Sequence, residues 1–139
     1  MEPTIEHLNP EGMHVNPAFT QAVAVSGNVK TIYIGGQNAV SPDGQIVGDT
    51  LAAQTEQIFK NIETVLAAAG ATLHDIIKWT IYVVQGQDLA PGYAVFQQAW
   101  GTSAKPPAIS AAFVAGLAHP AFLVEIEAIA VTSAESRTG

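Results

Sequence analysis

Ten residues at 75–84, DIIKWTIYVV, leave this chain few folds to choose from. β-Branched and aromatic side chains dominate the stretch, which favours an extended strand. Ile76, Lys78, Thr80 and Tyr82 alternate with Ile77, Trp79, Ile81 and Val83, so both faces of that strand are apolar. The run AISAAFV at 108–114 has the same character. A sheet built on such strands must be covered on both sides.

One cover is supplied by helices. Apolar residues at 51, 58, 59, 62, 65, 66 and 69, together with Thr55, follow 3–4 spacing. This predicts one amphipathic helix of about five turns, capped by Asp49 or Thr50 and stopped by Gly70. A shorter helix is expected from Asp88 or Leu89 to Trp100, with Pro91 in its first turn and Gly101 as its stop. The short runs QAVAV at 21–25 and TIYI at 31–34, split by Ser26-Gly27-Asn28, read as a hairpin. Ser41-Pro42-Asp43-Gly44 reads as a turn, and FLVEIEAIAV at 122–131 as a closing strand. The order predicts a single two-layer α+β domain over residues 1–139, with a mixed sheet and both helices on one face. Residues 1–15 are expected as an extension and 132–139 as a frayed tail.

The second cover is most simply another copy of the same sheet. Of the 139 residues, 48% are hydrophobic and only 12% charged, a lean surface for a monomer of this size. A closed homo-oligomer with sheets packed inward and ligand pockets at the subunit seams is therefore expected. Five Lys+Arg against 12 Asp+Glu give a net charge of −7, which argues against a nucleic-acid partner, because phosphates are gripped by many cations. The absence of cysteine removes disulfides, thiolate zinc sites and a cysteine nucleophile together. The first 20 residues lack Lys and Arg and are broken by Pro3, Pro10 and Pro17, unlike a secretory signal, and no run is long enough for a membrane span. A cytoplasmic protein is expected.

Four familiar constellations, GxGxxG, GxxxxGK[ST], HExxH and GxSxG, are missing from the sequence. His7, His14, His74 and His119 match no metal-ligand spacing, so neither metal nor cofactor is expected, and these histidines read as solvated or capping groups. Thr20, Thr80 and Ser110 lack a His–Asp context and read as structural. Gly35-Gly36 at a strand end is either a bulge or a place where a ligand nears the backbone. Glu125 and Glu127 project from one face of an apolar strand, where a carboxylate needs a partner. Either one orients water or acts as a general base in an inter-subunit pocket, or the pair is partly solvated or salt-bridged to Lys30 or Lys78.

An ordered set of motifs resembles the RidA/YjgF enamine/imine deaminase superfamily, also labelled endoribonucleases of the L-PSP type. Asn16-Pro17-Ala18-Phe19-Thr20-Gln21-Ala22-Val23 resembles the opening GPYSQAV, and Ile32-Tyr33-Ile34-Gly35-Gly36-Gln37 the strand end VYISGQ. Gln54 to Asn61 resembles the helix pattern QT.Q…N, and the segment 69–80 resembles AAG.SLDDVVK.T. Pro107-Ala108 and Glu125-Ile126-Glu127-Ala128-Ile129-Ala130 resemble the closing PAR…VEIEAIA. The resemblance implies a chorismate-mutase-like protomer, a homotrimer with a central sheet barrel, and small-molecule clefts between subunits.

It also locates the departures. The Arg that holds a substrate carboxylate in active relatives falls at Ile109, the frequent Cys at Ala111, the opening Tyr at Phe19, the Ser of SGQ at Gly35 and a helix Asn at Tyr93. The water-orienting Glu persists as Glu125, beside the Gly36 backbone. An aliphatic side chain cannot form the paired charge-assisted bonds that clamp a carboxylate. The expectation is a small, less anionic metabolite bound among Phe19, Gly35, Gly36, Tyr93, Ile109 and Ala111, with Glu125 as the catalytic candidate. Hydrolysis of an imine, enamine or related C–N bond is one reading, with ordinary activity on 2-aminoacrylate-type enamines called into question. A non-catalytic ligand sensor or accessory subunit of a catabolic pathway is the alternative.

Overall fold

The computed structural model describes residues 2–102 and 105–134. In chain order its elements are β1 (Thr4–Leu8), β2 (Ala22–Ser26), β3 (Val29–Gln37), α1 (Leu51–Ala68), a 3-10 turn (Leu73–Asp75), β4 (Ile76–Val84), α2 (Ala90–Trp100), β5 (Ala108–Val114) and β6 (Val124–Ser133). Four strands form one mixed sheet in the order β3-β6-β4-β5, in which only β4 and β5 run parallel. Strands β1 and β2 form a separate antiparallel pair.

Both helices lie on one face of the four-stranded sheet, giving the two-layer α+β architecture expected from the element order. Helix α1 buries Ile58, Phe59, Ile62 and Leu66 at helical spacing. Phe59 meets the rings of Trp79 on β4 and Phe96 on α2 edge-on, at centroid distances of 5.6 and 5.5 Å, and Trp79 meets Phe96 at 5.4 Å. This three-ring contact locks both helices to the sheet, since edge-to-face pairs add to the burial itself. Thr50 caps α1 by accepting from the Ala53 N–H at 3.1 Å, one of the two caps foreseen.

Three expectations need correcting. The Ser26-Gly27-Asn28 turn exists, but the strands flanking it do not form a hairpin: β2 pairs with β1, and β3 with β6. Residues 1–15 are accordingly more than an extension, because Thr4–Leu8 supply the partner strand of β2. Ile76 does not share a face with Lys78, since a register shift between them turns Ile76 into the core, where it is buried. At the other end, β6 continues through Thr132 and Ser133, while positions 135–139 of the expected tail lie outside the described residues.

Buried and half-buried polar side chains hold the loops around the sheet. Gln54 donates to Gly48 O at 3.1 Å and Ala121 O at 2.8 Å, and accepts from Leu123 N–H at 2.9 Å, so one amide staples α1 to the approach into β6. Asn61 donates to Asn38 O at 3.2 Å and Val40 O at 3.0 Å, fixing the exit from β3. Thr20 donates through its hydroxyl to Pro106 O at 2.6 Å, and its N–H reaches Pro107 O at 3.1 Å, which ties the Phe19 loop to the start of β5. Replacing the buried Gln54 with alanine removes three hydrogen bonds to partly exposed backbone groups, at about 1 kcal/mol each, so Gln54→Ala is expected to lower unfolding stability by about 3 kcal/mol. Urea titration at fixed protein concentration measures it, and a loss below about 1 kcal/mol would mean that water replaces the amide.

Candidate functional site

Strand alternation sorts the sheet's side chains into two sets. In register, Trp79, Ile81 and Val83 of β4 stand opposite Ile109, Ala111 and Phe113 of β5 and point to the helices. Val124 and Ile126 of β6 pair with Val83 and Ile81 and share that face. Glu125 and Glu127 pair with Tyr82 and Thr80, so both project from the face away from the helices.

A cavity of about 330 Å³ opens on the helix side between β5, α1 and α2. Phe19, Tyr93, Ile109 and Ala111, all expected at the site, line it together, with Phe96 and Phe113 completing an aromatic wall. The Thr55 hydroxyl also faces the cavity, but it donates to Leu51 O at 2.7 Å and is thereby satisfied. Gly92 on α2 is a lining residue that sequence reasoning missed. A Cβ there would come within 3.0 Å of Leu51 Cδ2, so its absence lets the two helices close over the cavity. A glycine inside an otherwise helical, apolar segment was the available signal.

The other expected residues form a second cluster. The β3–β6 ladder shifts register between Ile34 and Gln37, and the two residues of the irregularity are Gly35 and Gly36. The Glu125 side chain lies over Gly36 so closely that a Cβ on this glycine would sit 2.6 Å from Oε2 and 2.8 Å from Cδ. Gly36 is therefore the residue that makes room for the carboxylate. Tyr82 donates to Glu127 Oε1 at 3.4 Å, a long bond. The two lysines considered as partners are engaged elsewhere: Lys30 donates to Ala69 O and Lys78 to Ser110 Oγ, each at 2.6 Å. The sequence-predicted residues thus form two clusters on opposite faces, with the cavity at the β5 edge and Glu125 with Gly36 toward the β3 edge.

The histidines do local work. His74 Nε2 lies 2.9 Å from Trp100 O, and His119 Nδ1 accepts from Ala121 N–H at 3.0 Å. Partial burial, with Lys105 nearby, holds the His7 imidazole below its ordinary pKa. Among the described residues no group of three or more His, Cys, Asp or Glu is placed to hold a metal ion. No helix among them is long and apolar enough to cross a membrane.

Comparison with known proteins gives a consistent set of likenesses. The family model described as endoribonuclease L-PSP matches residues 12–132. A RutC family protein of Pyrococcus abyssi is 36% identical over 113 residues, covering 81% of this chain and 84% of the relative. The 2-iminobutanoate/2-iminopropanoate deaminase of Bos taurus is 37% identical over 114 residues, covering 81% and 79%. Among solved structures, the Rid-family protein YyfB of Yersinia pestis, described as being of unknown function, superposes with a TM-score of 0.78 at 37% identity, covering 91% of this chain and 97% of that one.

Proposed function

Because this chain belongs to the endoribonuclease L-PSP family, the Rid/YjgF proteins, we propose that it is a cytoplasmic homotrimer that hydrolyses the C=N bond of a small metabolite at the seams between subunits. The observation that carries this reading is the division of the site into two halves at opposite sides of one sheet. Both edge strands of the four-stranded sheet, β3 and β5, have no strand on their outer sides among the described residues. Tyr33 on β3 is 78% exposed and Phe113 on β5 is 50% exposed, and aromatic edges of this kind call for cover. A head-to-tail contact that seats the β3 edge of one copy against the β5 edge of the next closes into a ring and leaves neither edge of the four-stranded sheet free. In that contact the Gly36–Glu125 half of one protomer is brought to the same seam as the cavity half of its neighbour.

The chemistry follows from those two halves. The apolar cavity holds the carbon skeleton and excludes water from it. Glu125 accepts a proton from a water molecule as the water oxygen attacks the imine carbon, while the π electrons of C=N move to nitrogen. The carboxyl returns that proton to nitrogen, giving a carbinolamine; the carboxylate then takes the proton of the new hydroxyl and passes it to nitrogen as the C–N bond breaks, so that ammonia leaves and the carbonyl product forms. The Gly36 backbone keeps the carboxylate in its place rather than taking part itself.

Sedimentation equilibrium should give the mass of three chains at micromolar concentration. Ammonia release from a panel of imines generated in place should be faster with the protein than without it. A stable monomer, or no acceleration with any imine, would overturn the proposal.

A further inference from the structure

The cavity is built to reject a carboxylate. Its wall comes from Phe19, Tyr93, Phe96, Ile109 and Phe113 above an aliphatic floor, and no lysine or arginine of the described residues lines it. Lys78 sits on the opposite face, bound to Ser110, and Lys30 is held at the C-terminal end of α1 by Ala69 O. A carboxylate entering this space would give up its water and meet no cation. An aryl or branched alkyl group would instead find aromatic edges and faces at contact distance, in a volume within the range of small-ligand pockets. The group brought up across the proposed seam is an acid, Glu125, which favours a cation rather than an anion.

We propose, resting on the hydrolytic reading above, that the substrate is the iminium of a carboxylate-free primary amine with a hydrophobic tail. The tail fills the cavity and the C=NH₂⁺ end points to Glu125. The step balances with water alone: R–CH=NH₂⁺ and H₂O give R–CHO and NH₄⁺, with no net oxidation. Such an iminium arises by two-electron oxidation of R–CH₂–NH₂, so the reaction that must supply this protein is the oxidation of a primary amine and not of an amino acid. The product it hands on is an aldehyde.

A matched pair of substrates tests this. The imine of 2-phenylethylamine, generated with an amine oxidase, and the imine of phenylalanine, generated with an amino-acid oxidase, differ only by the carboxylate. Each is trapped with semicarbazide, and the protein's suppression of the semicarbazone reports its rate. We expect kcat/KM to favour the carboxylate-free imine by at least about 10-fold, in line with leaving one charge unpaired. Equal rates, or preference for the phenylalanine imine, would overturn the substrate class while leaving hydrolysis standing. If neither imine is turned over, hydrolysis fails and calorimetry decides the class. Saturable binding of 2-phenylethylamine at least about 10-fold tighter than phenylalanine would sustain it, and any other result would overturn it.

Discussion

Glu125→Gln is expected to lower turnover about 10³-fold while lowering the affinity for a non-reactive amine by only about 10-fold, the loss of one charge-assisted hydrogen bond. Glutamine keeps the size of the side chain and its place over Gly36, but its amide cannot take a proton from water at neutral pH. The loss should therefore appear in kcat, with the thermal midpoint unchanged, because Glu125 is only half-buried and closes no core contact. Steady-state kinetics on any imine the protein accepts, paired with calorimetry on the amine, makes the measurement. A variant that retains more than about a tenth of the parent rate would remove Glu125 from the chemistry. A variant whose affinity alone changes would fit a ligand sensor.

Ile109→Arg is expected to reverse the selectivity. Ile109 faces the cavity from an edge strand and is only half-buried, so the aliphatic stem of an arginine can follow the wall while its guanidinium reaches the mouth. There it offers a carboxylate two parallel N–H donors. A hydrogen bond to a charged group contributes about 1.5–3 kcal/mol, so imines derived from amino acids should gain about 10- to 100-fold in kcat/KM. The carboxylate-free iminium should lose by a comparable factor, since a fixed cation now stands at the mouth beside its C=NH₂⁺ end. The readout is the ratio of the two specificity constants in parent and variant. An unchanged ratio in a variant with a native melting profile would show that position 109 does not meet the carboxylate end of the substrate.

The helices and their caps were legible because the information is local. The 3–4 spacing of Leu51 to Leu66, with Thr50 before it and Gly70 after it, specifies α1 with little help from the rest of the chain. Pairing partners were not legible. The turn at Gly27 is real, with φ at +96°, but its second reason lies far away in the fold: a Cβ there would come within 2.5 Å of Glu2 O, where the start of β1 runs past. Nothing in the local pattern of Glu6 and His7 marks Thr4–Leu8 as a strand, because it is mostly exposed and owes its shape to β2. The same limit applied to the site. Alternation placed Glu125 and Glu127 on one face, and Ile109 and Ala111 on one face, but only the pairing of β4 with both neighbours reveals that these faces are opposite. Gly92 and Phe96 join the cavity only through the packing of α2 on α1.

Completion of the site by a neighbouring copy is tested most directly by complementing two inactive variants. Glu125→Gln keeps the cavity and lacks the acid, whereas Ala111→Phe keeps the acid and fills the cavity. Ala111 is exposed on β5, so the larger ring enters open space. Mixed by co-refolding in equal amounts, the two chains should form rings in which about a quarter of the seams join an intact cavity to an intact glutamate. The account predicts that activity returns to about a quarter of the parent value, while the double variant stays inactive. Activity no higher than the sum of the two single variants measured alone would contradict it, placing cavity and acid in the same chain's site.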